Sequence, residues 1–224
     1  MAINKLPIKK LVEFRRLSKG RKQTFANKLK VTKEVSSGGG GDYWVRSIST
    51  ISNAFKVNDN TIVKAKLEEV STLYNSEQRS QTKSMYKRNI DILKKYQDFD
   101  FTEWRPSADL NFLAKPQSIL EMHGLPIQIR PQQIFSYGSE GNQSIGGIWF
   151  ITWLQGYNDE DLGIYSEALF RYLSSYFSQD YIINPAACMV VDVVKMKVIG
   201  YNKIIDREIP SLLDSSIENI KSHL

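Results

Sequence analysis

The chain has 224 residues, 42% of them hydrophobic and 24% charged, with 30 Lys/Arg against 24 Asp/Glu and a net charge of +6. That apolar content is enough to bury a sizeable core in one large domain, or in a core plus an appendage, and no apolar run reaches the ~18 residues of a membrane span. Two histidines, His123 and His223, and a single Cys188 exclude an internal disulfide and an ordinary Cys/His zinc site within one chain.

The opening MAINKLPIKKLVEFRR carries positive charge with no apolar segment of a secretory signal behind it. Together with the lone cysteine, this predicts a cytoplasmic protein with no membrane contact. The net charge is unevenly spread. Residues 1–100 hold 21 Lys/Arg and 10 Asp/Glu, whereas residues 101–224 hold 9 and 14, so the two parts carry +11 and −5. Residues 1–35 alone hold 11 basic and 2 acidic side chains. Such a gradient predicts a basic face that meets a polyanion, against the plainer reading of a solvated, solubilising surface.

Residues 6–30 read as helix broken near Gly20, with Ile8, Leu11, Val12 and Phe14 before the break and Phe25, Ala26 and Leu29 after it. Between them lies RRLSKGRK, whose Arg15, Arg16, Lys19, Arg21 and Lys22 are the candidate phosphate contacts. The run GGGG at 38–41 follows. It satisfies neither G-x-x-x-x-G-K-[ST] nor G-x-G-x-x-G, and the acid behind it, Asp42, would repel a phosphate. It therefore reads as a hinge between a basic arm and a packed helix, with Arg46 placed to turn the hinge into a contact.

Trp44, Ile48, Ile51 and Phe55 form an apolar helical stripe with Asp42 as its expected N-cap. Val63, Leu67, Val70 and Tyr74 repeat the spacing behind Asp59 or Asn60, and Tyr86, Ile90, Leu93 and Tyr96 repeat it again. The texture changes near Asp100. An irregular connector carrying two prolines leads to LPIQIRPQQIFSY (125–137), which alternates as a strand does. A turn-rich stretch (138–147) precedes IWFITWL (148–154), apolar on both faces and so expected between two layers as the partner of a hairpin. NDED (158–161) caps a further helix, ACMVVDVV (187–194) is a strand, KMKVIGY (195–201) continues or returns it, and a last helix shows Leu213, Ile217, Ile220 and Leu224. The fold class expected is α+β or α/β: a helical N-terminal half and a small mixed sheet flanked by helices. Its organisation is a basic helical arm (1–37), a helical region (42–100) and an α/β domain (101–224) that can form one compact unit with 42–100.

Chemistry-bearing residues are few. Asp98, Asp100 and Glu103 could bind Mg²⁺ but stand where a helix exits to a loop, a place for solvated acids. Asp192 lies inside MVVDVV, where a charge is costly unless paired, so Lys195 or Lys197 is its expected partner unless it borders a site. Cys188 opens a strand and reads as a buried cysteine. Trp149 and Trp153 share a strand face with Ile151 and read as core.

Over residues 119–199 the order segment, strand, glycine turn, strand, helix, strand resembles the central part of the PD-(D/E)XK restriction-endonuclease-like fold, about a third of the chain. The matching positions are RPQQ at 130–133 and FITW at 150–153. Pro131 fits, but Gln132 stands where that family has an acid, and no acid-x-Lys follows. The resemblance implies a core that has lost catalysis or moved its acids to Glu121 or Asp192, with Lys195 beside them. The expectation is thus a nucleic-acid-binding accessory or interaction protein, non-catalytic, without cofactor or metal, with a protein partner beside the nucleic acid, in the setting of a bacterial defence or mobile-element system. The alternatives are a Mg²⁺-dependent nuclease using Glu121, Asp192 and Lys195, and a purely structural subunit.

Overall fold

The computed structural model describes residues 5–30, 43–139 and 141–224, and the glycine run 38–41 with Asp42 lies outside them. In chain order the elements are β1 (Leu6–Pro7), α1 (Ile8–Arg15), α2 (Lys19–Lys30), α3 (Val45–Val57), α4 (Thr61–Ser76) and α5 (Ser80–Tyr96). A turn of 3-10 helix (Phe101–Trp104) leads to β2 (Asn111–Phe112), β3 (Ile119–Met122), β4 (Leu125–Gln128), β5 (Gln133–Tyr137) and β6 (Ser144–Ile151). Then come α6 (Asp159–Phe177), β7 (Ile182–Asp192), β8 (Lys197–Gly200), α7 (Asn202–Ile205) and α8 (Leu213–Lys221). The fold is α+β: two small mixed sheets flanked by helices.

The larger sheet has the order β2-β5-β6-β7-β8, antiparallel throughout except for β6 and β7, which run parallel and are joined by α6. Its centre is buried on both faces. Ile145, Trp149 and Ile151 of β6, with Cys188 and Val190 of β7, face a core shared with α1, α6 and α8. Ile148 and Phe150, with Met189 and Val191, face a second core built on α3, α4 and α5. This two-faced burial is why IWFI and MVV have no polar alternation. Each large side chain fully buried there contributes about 1.5–3 kcal/mol of transfer free energy.

The end of the turn-rich stretch, Ser144–Gly147, is the start of β6 and has a packing role. The β6–β7 register shifts between Ile145 and Gly147, bringing the two backbones together. A Cβ on Gly146 would stand 2.5 Å from the Ala187 Cβ and 2.7 Å from its carbonyl oxygen, so only glycine fits without a shift.

Several boundaries differ from expectation. The break in the first helical region falls at Arg16–Ser18, and Gly20 lies inside the first turn of α2. The N-cap position of α3 is Trp44 rather than Asp42. LPIQIRPQQIFSY is two strands in two sheets: β4 pairs with β1 and β3, β5 with β2 and β6. The division falls at Arg130–Pro131, where proline has no N–H to give a ladder. Trp153 lies beyond the end of β6 and packs on Tyr157 (5.5 Å between centroids) instead of sharing a strand face with Trp149. Asn158 and Asp161 form the capping box of α6, as NDED suggests, with Asp161 N donating to Asn158 Oδ1 (2.9 Å) and Asn158 N to Asp161 Oδ2 (3.0 Å). β8 returns along β7 as a hairpin. Of the stretch 1–37, β1 joins β4 of the small sheet, and α1 turns Leu11, Val12 and Phe14 into the core shared with α6 and α8.

Candidate nucleic-acid interface

The first helices place their arginines against the protein itself. Arg16 pairs with Asp161, donates to the Gly156 carbonyl (3.0 Å) and lies 4.4 Å over the Trp153 ring. Burial and the neighbouring Arg15 push its guanidinium pKa down. Arg15 donates to Glu160 (2.5 Å) and stands 3.6 Å from Asp161. Asp161 is fully buried, so the two arginines neutralise a carboxylate that also caps α6. Lys22 covers the Phe14 ring at 5.1 Å and reaches Asn219. Arg46 pairs with Glu69 (3.4 Å) and lies over Tyr86. Lys19 and Arg21 remain exposed on α2, which carries five basic residues and no acid in its twelve positions.

The expected acids are not brought together. Glu121 is exposed on β3 of the small sheet, opposite Pro126, while Asp192 ends β7 in the large one. Among the described residues no group of three or more His, Cys, Asp or Glu is placed to hold a metal ion. Asp192 is fully buried, and its partners are backbone groups rather than an ammonium: Oδ1 accepts from Val194 N (3.0 Å) and Lys195 N (3.3 Å). Lys195 Nζ instead donates to the Tyr157 carbonyl (2.6 Å), and Lys197 pairs with Asp159 (2.5 Å). The turn from β7 to β8 is tight enough to bring backbone N–H groups to the carboxylate, while Lys195 in the turn and Lys197 at the start of β8 reach Tyr157 and Asp159 where the chain enters α6. Asp192 Oδ2 and the Tyr96 hydroxyl are buried without a partner among the described residues. Burial, with the Asp192 charge nearby, pushes the Tyr96 and Tyr157 phenols far up. Asp98 pairs with Lys64 (2.9 Å), and Asp100 caps the 3-10 turn through Thr102 N (2.9 Å).

At the position where the PD-(D/E)XK pattern has its first acid, Gln132 ties two strands. Its Oε1 accepts from Phe150 N (2.7 Å) and its Nε2 donates to Phe150 O (3.2 Å). An amide can satisfy both groups at once; a carboxylate could only accept.

Two concavities are lined by cations and aromatic rings. A cleft of about 750 Å³ opens where the end of β6 meets the first turns of α1 and α3. Trp44, Trp149, Ile151 and Tyr157 line it with Gln128 and Gln132, and Lys9 and Arg130 are its charged residues. A groove of about 520 Å³ runs along α5 against the end of α4, lined by Tyr74, Lys83, Lys87 and Arg88. Lys83 lies 5.0 Å over the Tyr74 ring. Arg88 lies 5.4 Å over Tyr43 and 5.9 Å over Trp44, two residues that line the cleft, so one arginine joins the two concavities. Among the described residues neither concavity is lined by a carboxylate, and only Lys87 is paired, with Asp91.

This surface is not where the charge is densest, and density points to residues 15–22 instead. The signal for it in the sequence is KRN at 87–89 with Lys83 one turn earlier, cations on one side of α5. Asn89 is the buried member of that set: it accepts from Ser47 N (2.9 Å) and donates to the Tyr43 carbonyl (2.6 Å), which fixes the start of α3 beside Arg88. No family model, curated protein or solved structure matches this chain.

Proposed function

We propose that the protein binds a nucleic-acid strand without cleaving it, as an accessory or interaction module, along the α5 groove and the adjoining cleft. The observation that carries this reading is the composition of the two concavities: Lys83, Lys87, Arg88, Lys9 and Arg130 interleaved with Tyr74, Tyr43 and Trp44, with no lining carboxylate among the described residues. Cations tracking a groove, with aromatic rings between them, are what an unpaired strand requires: charge for the phosphates and π-faces for the bases. The exposed Lys19 and Arg21 add long-range attraction, while Arg15 and Arg16 hold the fold. A nucleic-acid partner and a protein partner in the same assembly remain part of the reading, as does its setting in a bacterial defence or mobile-element system.

The test is a titration of a labelled single-stranded oligonucleotide over salt. Four to five phosphate contacts give a log–log salt slope of about −3, at ~0.7 per contact for single strands. The double reversal Lys83→Glu/Arg88→Glu lowers affinity and reduces that slope by about 1.4. Undetectable binding at low salt, or a double variant that binds as the parent does, overturns the proposal.

A further inference from the structure

The cleft differs from the α5 groove in a way that charge alone does not explain. Its floor is aromatic and aliphatic, formed by Trp149, Ile151 and Tyr157, all at least nine-tenths buried. Its volume of about 750 Å³ is that of a small-molecule pocket, which runs to ~300–1,000 Å³. One polar side chain in its wall is nine-tenths buried. Gln128, 9% exposed, turns its amide oxygen to the Arg130 guanidinium (3.1 and 3.3 Å), an orientation assigned from those partners. That orientation leaves the amide NH₂ free of Arg130, and Gln128 forms part of the wall of the cleft.

The rim suits an anion. Pro7, Ile8 and Lys9 at the start of α1, and Trp44 and Val45 at the start of α3, line the same cleft. Neither helix has an acid in its first turn or a cap bond from its own N-cap side chain, although Asn89 Oδ1 already takes the Ser47 N–H of α3, so two positive dipole ends meet there beside Lys9 and Arg130. An aromatic floor, an amide on the wall and a cationic rim match the three parts of one nucleotide: base face, base edge and phosphate.

We infer that the cleft is a pocket for a single unstacked base of the bound strand, with the Gln128 amide reading the base edge and the Lys9–Arg130 rim holding the adjoining phosphate. This rests on the nucleic-acid reading above and adds to it the chemical group that enters the cleft. A base laid on an aromatic surface loses about 5- to 100-fold in affinity when the stack is removed.

The experiment compares three probes on the full chain at one fixed salt concentration: a thymidine 12-mer, a 12-mer of abasic deoxyribose phosphates, and a polyglutamate peptide of equal charge. The expected result is that the thymidine strand binds about 5- to 100-fold tighter than the abasic one. Gln128→Leu should weaken the thymidine strand and leave the abasic strand unchanged. Ser49→Leu narrows the cleft from an exposed position on α3, where the Ser49 hydroxyl bonds only within its own helix, and should shrink the difference between the strands. Circular dichroism confirms that both variants fold. Equal affinity for the two strands overturns the base pocket and leaves nucleic-acid binding standing. A base preference that survives both variants places the base elsewhere and also overturns it. Polyglutamate binding as tightly as either strand, or no strand binding at all, overturns both readings.

Discussion

Arg16→Ala separates a structural arginine from a phosphate contact. Arg16 is one of two cations on the fully buried Asp161, and its own side chain is 27% exposed. Removing one partner of a buried pair costs about 3–5 kcal/mol because the other charge is left uncompensated. Three features reduce that figure here: Arg16 is partly in water, Arg15 remains 3.6 Å from Asp161, and the Asn158 N–H still donates to the carboxylate. The lost stack on Trp153 adds about 0.5–1 kcal/mol. The sum is about 2–4 kcal/mol, a fall of about 5–15 °C in Tm for a chain of this size. Chemical and thermal denaturation read this directly, with Lys19→Ala as the comparison: Lys19 is exposed and its loss should change stability by no more than about 0.5 kcal/mol. In a double-mutant cycle, Asp161→Asn keeps a cap acceptor while discharging the site, and it should recover about 1–3 kcal/mol of the Arg16→Ala loss. At a temperature where both proteins are folded, Arg16→Ala should bind the thymidine strand within twofold of the parent. An Arg16→Ala protein with unchanged Tm and reduced affinity would refute the assignment and return Arg16 to the nucleic-acid surface.

Three further outcomes follow from the packing and the ion pairs. Gly146→Ala forces a Cβ into the Ala187 backbone and should destabilise by about 1–3 kcal/mol, read as a lowered denaturation midpoint; an unchanged midpoint would show that β6 and β7 can separate freely. Asp214 is held down to about 2 first by the Arg171 guanidinium and then by His123, so its contribution is complete above the unfolded carboxylate value near ~4 and is lost as pH falls through about 2. Asp214→Asn should therefore cost about 1 kcal/mol or less at pH 7, since nearly half of the carboxylate faces water, with the gap to the parent closing between pH 4 and pH 2; a gap that stays constant would sink this account. Cys188 is fully buried and its thiol pKa is pushed far up by burial, so a thiol reagent should label it only at the rate of unfolding, and rapid labelling of the native protein would contradict its place in β7.

Periodicity alone makes the helices and the central strands legible in the sequence. Trp44–Ile48–Ile51–Phe55 and Tyr165–Leu169–Tyr172–Leu173 are stripes because one face of each helix meets the sheet. IWFI and MVV are uninterrupted because both faces do. What periodicity does not carry is pairing. The residues of LPIQIRPQQIFSY alternate continuously, yet their partners lie in two sheets, and partner choice depends on chain that is distant in sequence. The seat of α1 is equally hidden. Its cations look available because their partners, Glu160 and Asp161, lie about 145 residues away and read locally as a helix cap.

Charge in this protein is therefore sorted by geometry rather than by density. Arg15 and Arg16 of the densest basic run, RRLSKGRK, neutralise a buried acid and dock α1 on α6, whereas Lys9, Arg130, Lys83 and Arg88 line concave surfaces with no carboxylate partner among the described residues. A cation already paired with a buried carboxylate offers a phosphate little, because binding would have to break the internal pair at a cost of several kcal/mol. A cation resting on an aromatic ring, as Lys83 and Arg88 do, keeps its outward N–H groups free and gives up a contact worth only about 0.5–1 kcal/mol if it moves to a ligand. That difference in cost, more than the count of lysines and arginines, is why the proposed binding surface is assigned to α5 and the cleft beside it.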